Sequence, residues 1–368
     1  MLNCVYCKTA YFEKGKGLRE HIILSSIGGR KVSRDIDCEN CNNKLGLEID
    51  EPFSKRLGFF STMLGITTGR NKNAPIHKNF VKHEGENYDL LPGGKFRLSK
   101  TSVNFENKNI PEQESVSITA PNAEQALSKL DQALGKWNKS RNDLTELKAT
   151  HTKSYIPPIN GQLPLGGETQ FRSVAKMLLT YLATMINPKI LRNGQFDRVI
   201  EYIHKGNNNY NSCFWDFILP IPSEPKISEI NHRIFIFASE EKKLVFGVLE
   251  LFGYLKFSAV LTDNWSGGDL NKVHVIDPTT GEKEEHEIVA PDRLFDFVDE
   301  RFLKESFENQ CNNSTKKIIK AYQRRQFQQI MSDIAKKTIE NNITSKGKII
   351  TKAKYNKIIE EFILELNK

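Results

Sequence analysis

The 368-residue chain has no apolar run of about 18 residues, the length a helix needs to cross a bilayer, so no membrane span is expected. Its opening, MLNCVYC, lacks a basic stretch leading into an apolar one. No secretory signal is therefore expected, and the compartment read from the sequence is the cytoplasm. No repeat of fixed period is visible, which argues against a repeat array. Cysteine is scarce, six residues in all, and unevenly spread. Cys4, Cys7, Cys38 and Cys41 crowd into the start of the chain, while Cys213 and Cys311 stand alone. In a reducing compartment, two CxxC pairs read as metal ligands rather than disulfides. Charge surplus is also absent from most of the chain. Residues 315–368 hold thirteen Lys and Arg against five Asp and Glu, a local excess equal to the whole chain's +8. The remainder is neutral on average. A nucleic-acid or other polyanionic partner is permitted by this balance but not required.

With 38% hydrophobic and 27% charged residues, the composition is that of a soluble globular protein of two or three domains. The fold class expected is α+β and multidomain: a metal-stapled N-terminal module over 1–60, a mixed α/β region over 61–312, and a basic helical tail over 313–368. Residues 61–115 read as loops around short strands, and SVSITA (115–120) alternates like a strand. Asn122 is placed to cap a helix carrying Ala126, Leu127, Leu130 and Leu134 on one face. The Pro- and Gly-rich segment 151–167 reads as a linker or long loop. Over 168–186, Phe171, Val174, Ala175, Leu178, Leu179, Leu182, Ala183 and Ile186 step by three and four, which predicts a helix. A second helix is expected over GQFDRVIEYIHKG, stopped by Gly206. HRIFIFAS and KLVFGVLELFGYLKFSAVL read as strands. In the tail, two helices are expected, with Ser314 as a cap and Gly347 between them. His204, His232, His274 and the three tryptophans, Trp137, Trp215 and Trp265, read as structural.

The strongest local signal is the pair Cys4-x-x-Cys7 and Cys38-x-x-Cys41. Each tight CxxC turn presents two thiolates, and two such turns supply the tetrahedron a structural Zn²⁺ requires. Four protein ligands close that site, so this zinc would do no chemistry. The thirty residues between the pairs make the zinc a clamp at the base of an inserted element, which contains EHIILSSIGG.

C-x2-C, then EHIILSSIGG, then CENCNNKLGLEID resembles the HNH nucleases of the ββα-metal (His-Me finger) superfamily. The resemblance covers roughly residues 1–55. It implies that Glu20 binds a catalytic divalent cation, Mg²⁺ or Mn²⁺, that His21 is the general base taking a proton from water, and that Asn42 completes the metal site. Leu24 stands where the family usually has Pro. The family's central Asn, about five residues before the third cysteine, has no counterpart; Ser33 holds that spacing, with Asp35 near by. Asp35 and Asp50 are candidate supporting carboxylates, and Asp50 reads equally as a plain helix-end residue. Gly28-Gly29 is expected to be the hairpin turn.

Two functions follow. The first is a metal-dependent endonuclease, regulated or targeted by its large C-terminal region, with double-stranded DNA as the expected substrate. A restriction-like or ligand-activated role in bacterial defence is compatible by analogy. The second is a non-catalytic zinc-bearing nucleic-acid-binding or regulatory protein with a decayed HNH frame. An activating ligand, a partner protein and a homo-oligomer all stay open. The tail residues Lys316, Lys317, Lys320, Arg324 and Arg325 share one helix with Ile318, Ile319, Tyr322 and Ile330. They read as a solvated face, as a phosphate-gripping helix, or as a partner contact.

Overall fold

The computed structural model of the chain describes residues 1–68, 73–106, 115–150, 165–206, 213–217, 219–292, 294–295, 307–342 and 352–366. At the N-terminus, β1 (Leu2–Asn3) and β2 (Tyr11–Phe12) form an antiparallel ribbon around the first cysteine pair. β3 (Glu20–His21) pairs antiparallel with β4 (Val32–Ser33), setting Glu20 opposite Ser33 and His21 opposite Val32. α1 (Glu39–Leu45) begins at Cys38, passes through a π turn over Gly46–Asp50 and continues as α2 (Glu51–Met63). Pro52 sits in the first turn of α2, where a missing N–H costs no intrahelical bond. The order is therefore strand, strand, helix.

Gly28-Gly29 is not a tight hairpin turn. A 3₁₀ turn over Ser25–Ile27 lies between the strands, and Gly28 closes it at φ 99°. A Cβ on Gly29 would stand 1.7 Å from the Ile23 carbonyl oxygen, so only glycine fits there.

β5 (His77–His83), β6 (Glu86–Leu91) and β7 (Lys95–Leu98) form a meander, and β8 (Ser102–Glu106) pairs with β9 (Ser115–Thr119). Asn122 caps α3 (Ala123–Gly135) by accepting the Gln125 N–H at 2.9 Å. Most of the expected linker, residues 151–164, lies outside the described residues. α4 (Glu168–Ala183) follows, then α5 (Asp197–Lys205), ended by Gly206 in the left-handed region.

β10 (Cys213–Trp215), β11 (His232–Ser239), β12 (Leu244–Leu251), β13 (Leu255–Thr262), β14 (Leu270–Ile276) and β15 (Lys283–Glu287) form one antiparallel sheet in the order β10-β13-β12-β11-β14-β15. Its apolar runs are continuous because both faces are covered. Ile234, Ile236 and Leu249 face α4 and α5, whereas Phe235, Phe237, Phe246 and Val273 build a second core on the other face. The first of these cores extends without a break into Ile22, Ile23, Leu45, Phe53 and Phe60 of the N-terminal module. Phe53 meets Phe257 edge-on, with ring centroids 5.9 Å apart. Trp265 and His274 are buried, and Trp215 stacks on Phe257, in line with structural roles.

The tail differs from expectation at its start. α6 (Phe307–Asn342) is one long helix, and Ser314 lies buried inside it rather than capping it. Ile318 and Ala321 bury against the main core, which carries the helix through the expected cap. α7 (Lys352–Leu366) packs back on α6, with Lys337 3.6 Å from Glu365. Gly347, expected between the two helices, lies outside the described residues. Among the described residues, no helix is long and apolar enough to cross a membrane.

Candidate active site

The ligand sulfurs of Cys4, Cys7, Cys38 and Cys41 all lie within 4.8 Å of one another, and Cys7 Sγ is 4.0 Å from Cys38 Sγ. A tetrahedral ion with bonds of about 2.3 Å to sulfur spaces its ligands by about 3.8 Å. The cluster therefore fits a metal ion with little adjustment, and four thiols are a donor set suited to zinc. Backbone geometry holds the two knuckles together: Cys4 N–H donates to Ala10 O at 2.7 Å and Val5 N–H to Ile36 O at 2.9 Å. Arg192, at the end of the 3₁₀ turn Ile190–Arg192 that follows α4, clasps both by donating to Asn3 O and Asp35 O, each at 2.7 Å. Burial raises the Cys4 and Cys41 thiols. Burial also opposes ionisation of Cys7, yet hydrogen bonds from Thr9 and Ala10 bring its thiol down to about 6.

Next to this frame, α1 delivers Asn42 one residue after Cys41. Asn42 Nδ2 donates to Glu20 Oε2 at 2.8 Å and to Asp37 Oδ2 at 3.2 Å. Glu20 is buried, while His21, its neighbour on β3, is half-buried on the opposite side of the strand. Burial lowers the His21 imidazole to about 4, assisted by Arg19, Arg30 and Lys176, so it is neutral near pH 7. Its Nδ1 is buried and has no hydrogen-bond partner among the described residues. Ser33, at the spacing of the missing Asn, lies opposite Glu20 instead.

Four further groups complete the cluster, and the sequence pattern did not point to them. Asp37 is buried beside Asn42. Tyr6 is buried too; burial, with Asp37, Glu20 and Asp50 near by, lifts its hydroxyl well above the ordinary range. Lys176 of α4, only 1% exposed, reaches Glu20 Oε2 at 2.9 Å and Asp50 Oδ2 at 2.5 Å. Ser173, one turn earlier, donates to Asp50 Oδ1 at 2.7 Å. Asp50 thus joins the cluster. Asp35 does not: it accepts the Gly15 N–H near the surface, at 2.5 Å. Burial, with Asp50 and Asp37 near by, raises the Glu20 carboxyl to about 8 despite Lys176, and burial raises Asp37 to about 6. Lys176 remains charged because Glu20 and Asp50 outweigh the cost of its burial.

Glu20 and Asn42 do converge, as a shared metal ion would need. As the chain is folded, however, the Glu20 oxygen facing Asn42 already carries the Lys176 ammonium. A divalent cation could use Glu20 and Asn42 only once the Lys176 ammonium has left this oxygen.

Residues 4–58 match a family model described as HNH endonuclease. The N-terminal module is an HNH module. No curated protein and no solved structure matches the chain. The HNH module supplies Cys4, Cys7, Glu20, His21, Asp37, Cys38, Cys41, Asn42 and Asp50; Lys176 and Ser173 reach it from α4.

The basic tail lies apart from this cluster in its contacts. Arg324 pairs with Glu229, its Nε 3.3 Å from Oε2, and Arg325 Nη1 is 4.0 Å from Asp277. Lys317 Nζ lies 6.0 Å from the centre of the Tyr254 ring. Lys316 and Lys320 are exposed.

Proposed function

We propose that the chain is a metal-dependent HNH endonuclease that hydrolyses phosphodiester bonds, with double-stranded DNA as substrate. Zn²⁺ on Cys4, Cys7, Cys38 and Cys41 is structural, and it fixes the start of α1 and hence the position of Asn42. His21 is the general base. Its neutral imidazole can accept a proton from water, and Arg19 and Arg30 give the ring a cationic surrounding that a phosphate would enter. Mg²⁺ or Mn²⁺, which such nucleases use, would neutralise charge on the phosphate, with Glu20 and Asn42 as its protein ligands. The observation that carries the reading is the meeting of Glu20 and Asn42 at 2.8 Å, beside His21 and above a four-cysteine frame. The organisation proposed is an HNH module over 1–60, a regulatory or targeting region over 61–312 and a basic tail over 313–368, acting in the cytoplasm. A restriction-type role in defence against foreign DNA fits an HNH module joined to a large regulatory region.

A second reading, a zinc-bearing regulatory protein without catalysis, is favoured by the unpartnered His21 Nδ1 and by Lys176 on Glu20. Plasmid cleavage in millimolar Mn²⁺ separates the two. The nuclease reading expects cleavage by the wild-type chain and a loss of about 10²–10⁴-fold in His21→Ala, with metal content unchanged. Equal cleavage by both proteins, or by neither, counts against it.

A further inference from the structure

The Glu20 oxygen expected to hold a divalent ion accepts two hydrogen bonds instead. One comes from Asn42 Nδ2 at 2.8 Å and the other from the Lys176 ammonium at 2.9 Å. The same ammonium is 2.5 Å from Asp50 Oδ2, and the Lys176 side chain is 2% exposed. A divalent ion and an ammonium cannot both bond this oxygen, because their charges repel at short range and Nζ fills the space. The arrangement is built with care for the lysine. Ser173, on the same face of α4, fixes the other oxygen of Asp50. The opposite face of α4 is apolar and packs on the sheet, with Leu178 against Gly247. The ammonium is thus anchored in the central region while its partners belong to the HNH module.

Resting on the nuclease reading, we infer that Lys176 is an internal cation that closes the Glu20–Asp50 pair to the divalent ion, so that a side chain of the central region decides whether the HNH site takes up its metal. In the closed state the Lys176 ammonium bonds Glu20 and Asp50 together, at 2.9 and 2.5 Å. Glu20 and Asn42 would hold Mg²⁺ or Mn²⁺ only with the ammonium displaced from Glu20 Oε2.

The test uses the full-length, zinc-loaded protein and Mn²⁺, with free Mn²⁺ followed by electron paramagnetic resonance. Lys176→Met keeps the length of the side chain and removes its charge. If the closed state holds about nine molecules in ten, the variant binds Mn²⁺ about tenfold more tightly than wild type. Unchanged or weaker binding overturns the inference. Because Lys176→Met leaves Glu20 and Asp50 without their cation and its folding is not assured, the wild-type chain supplies an independent measurement. Acylation of lysines, read by mass spectrometry, should leave Lys176 unlabelled without Mn²⁺ and label it at saturating Mn²⁺. A Lys176 that stays protected while Mn²⁺ is bound also overturns the inference. A variant that gains Mn²⁺ affinity yet cuts no nucleic acid upholds the lock and removes the nuclease reading, so the two fail separately.

Discussion

The amide of Asn42 lies 2.8 Å from the carboxylate of Glu20, joining a helix and a strand that are 22 residues apart in sequence. Asn42 follows Cys41 directly, so the position of this amide is set by the cysteine cluster. The cysteine cluster and the Glu20–Asn42 contact are therefore coupled through a single peptide unit.

That coupling is open to measurement. Metal analysis of protein purified without chelator should find about one tightly held zinc per chain. Cys41→Ser should lose it, lower the melting temperature and release Asn42 from Glu20. The rest of the chain should stay folded, because the main core continues through α4 and the sheet. A Cys41→Ser protein with full zinc content and unchanged melting would contradict this account.

His232 gives the fold a pH dependence. It is fully buried, its Nδ1 accepts the Phe252 N–H at 2.9 Å, and its Nε2 donates to Ile27 O at 2.8 Å, tying the loop after β3 to the sheet. Burial lowers its pKa from 6.5 to about 4. Below 6.5 an unfolded chain takes up a proton that the folded chain refuses. Stability from this residue is complete above pH 6.5 and is lost as pH falls towards 4, by about 3 kcal/mol in all. Glu20 and Asp37, whose carboxyls are raised, work in the opposite sense, so the comparison must be with a variant. Thermal melts of wild type and His232→Gln from pH 7.5 to 4.5 should show the steeper acid loss in wild type. Parallel curves would remove His232 from the account.

Much of this was legible in the sequence, for physical reasons that differ from element to element. The four cysteines were readable because their chemistry demands fixed spacing. α4 and α5 were readable from periodicity, and β11 to β13 from runs of Val, Ile and Phe. Lys176 was not. Off the apolar stripe of α4, a lysine reads as solvent-facing, but here both sides of the helix are buried, with Ser173 and Lys176 turned to the HNH module. The one available signal was the solitary charge inside SVAKMLLTYLA. Asp37, next to Cys38, was hidden by the more obvious Asp35. Ser314 misled because its side chain is a good cap, whereas burial of Ile318 and Ala321 carries α6 past it.

The tail makes a graded prediction. Arg324 and Arg325 already face Glu229 and Asp277, whereas Lys316 and Lys320 are exposed. If α6 grips DNA, Lys316→Gln with Lys320→Gln should flatten the slope of log affinity against log salt by about two units, uniformly across sequences. Arg324→Gln should act on the docking of α6 and leave that slope nearly unchanged. An unchanged slope in the double lysine variant would make this face a solvated one.

The central claim is that an HNH site capable of hydrolysis lies beneath Lys176. It is tested most directly by comparing Lys176→Met with Lys176→Met/His21→Ala on plasmid DNA in Mg²⁺ or Mn²⁺, zinc content being verified in both. The account predicts that the single variant cuts faster than wild type and that the double variant falls by about 10²–10⁴-fold. A single variant that binds Mn²⁺ and leaves DNA and RNA intact, or a double variant that cuts as fast as the single one, would contradict it.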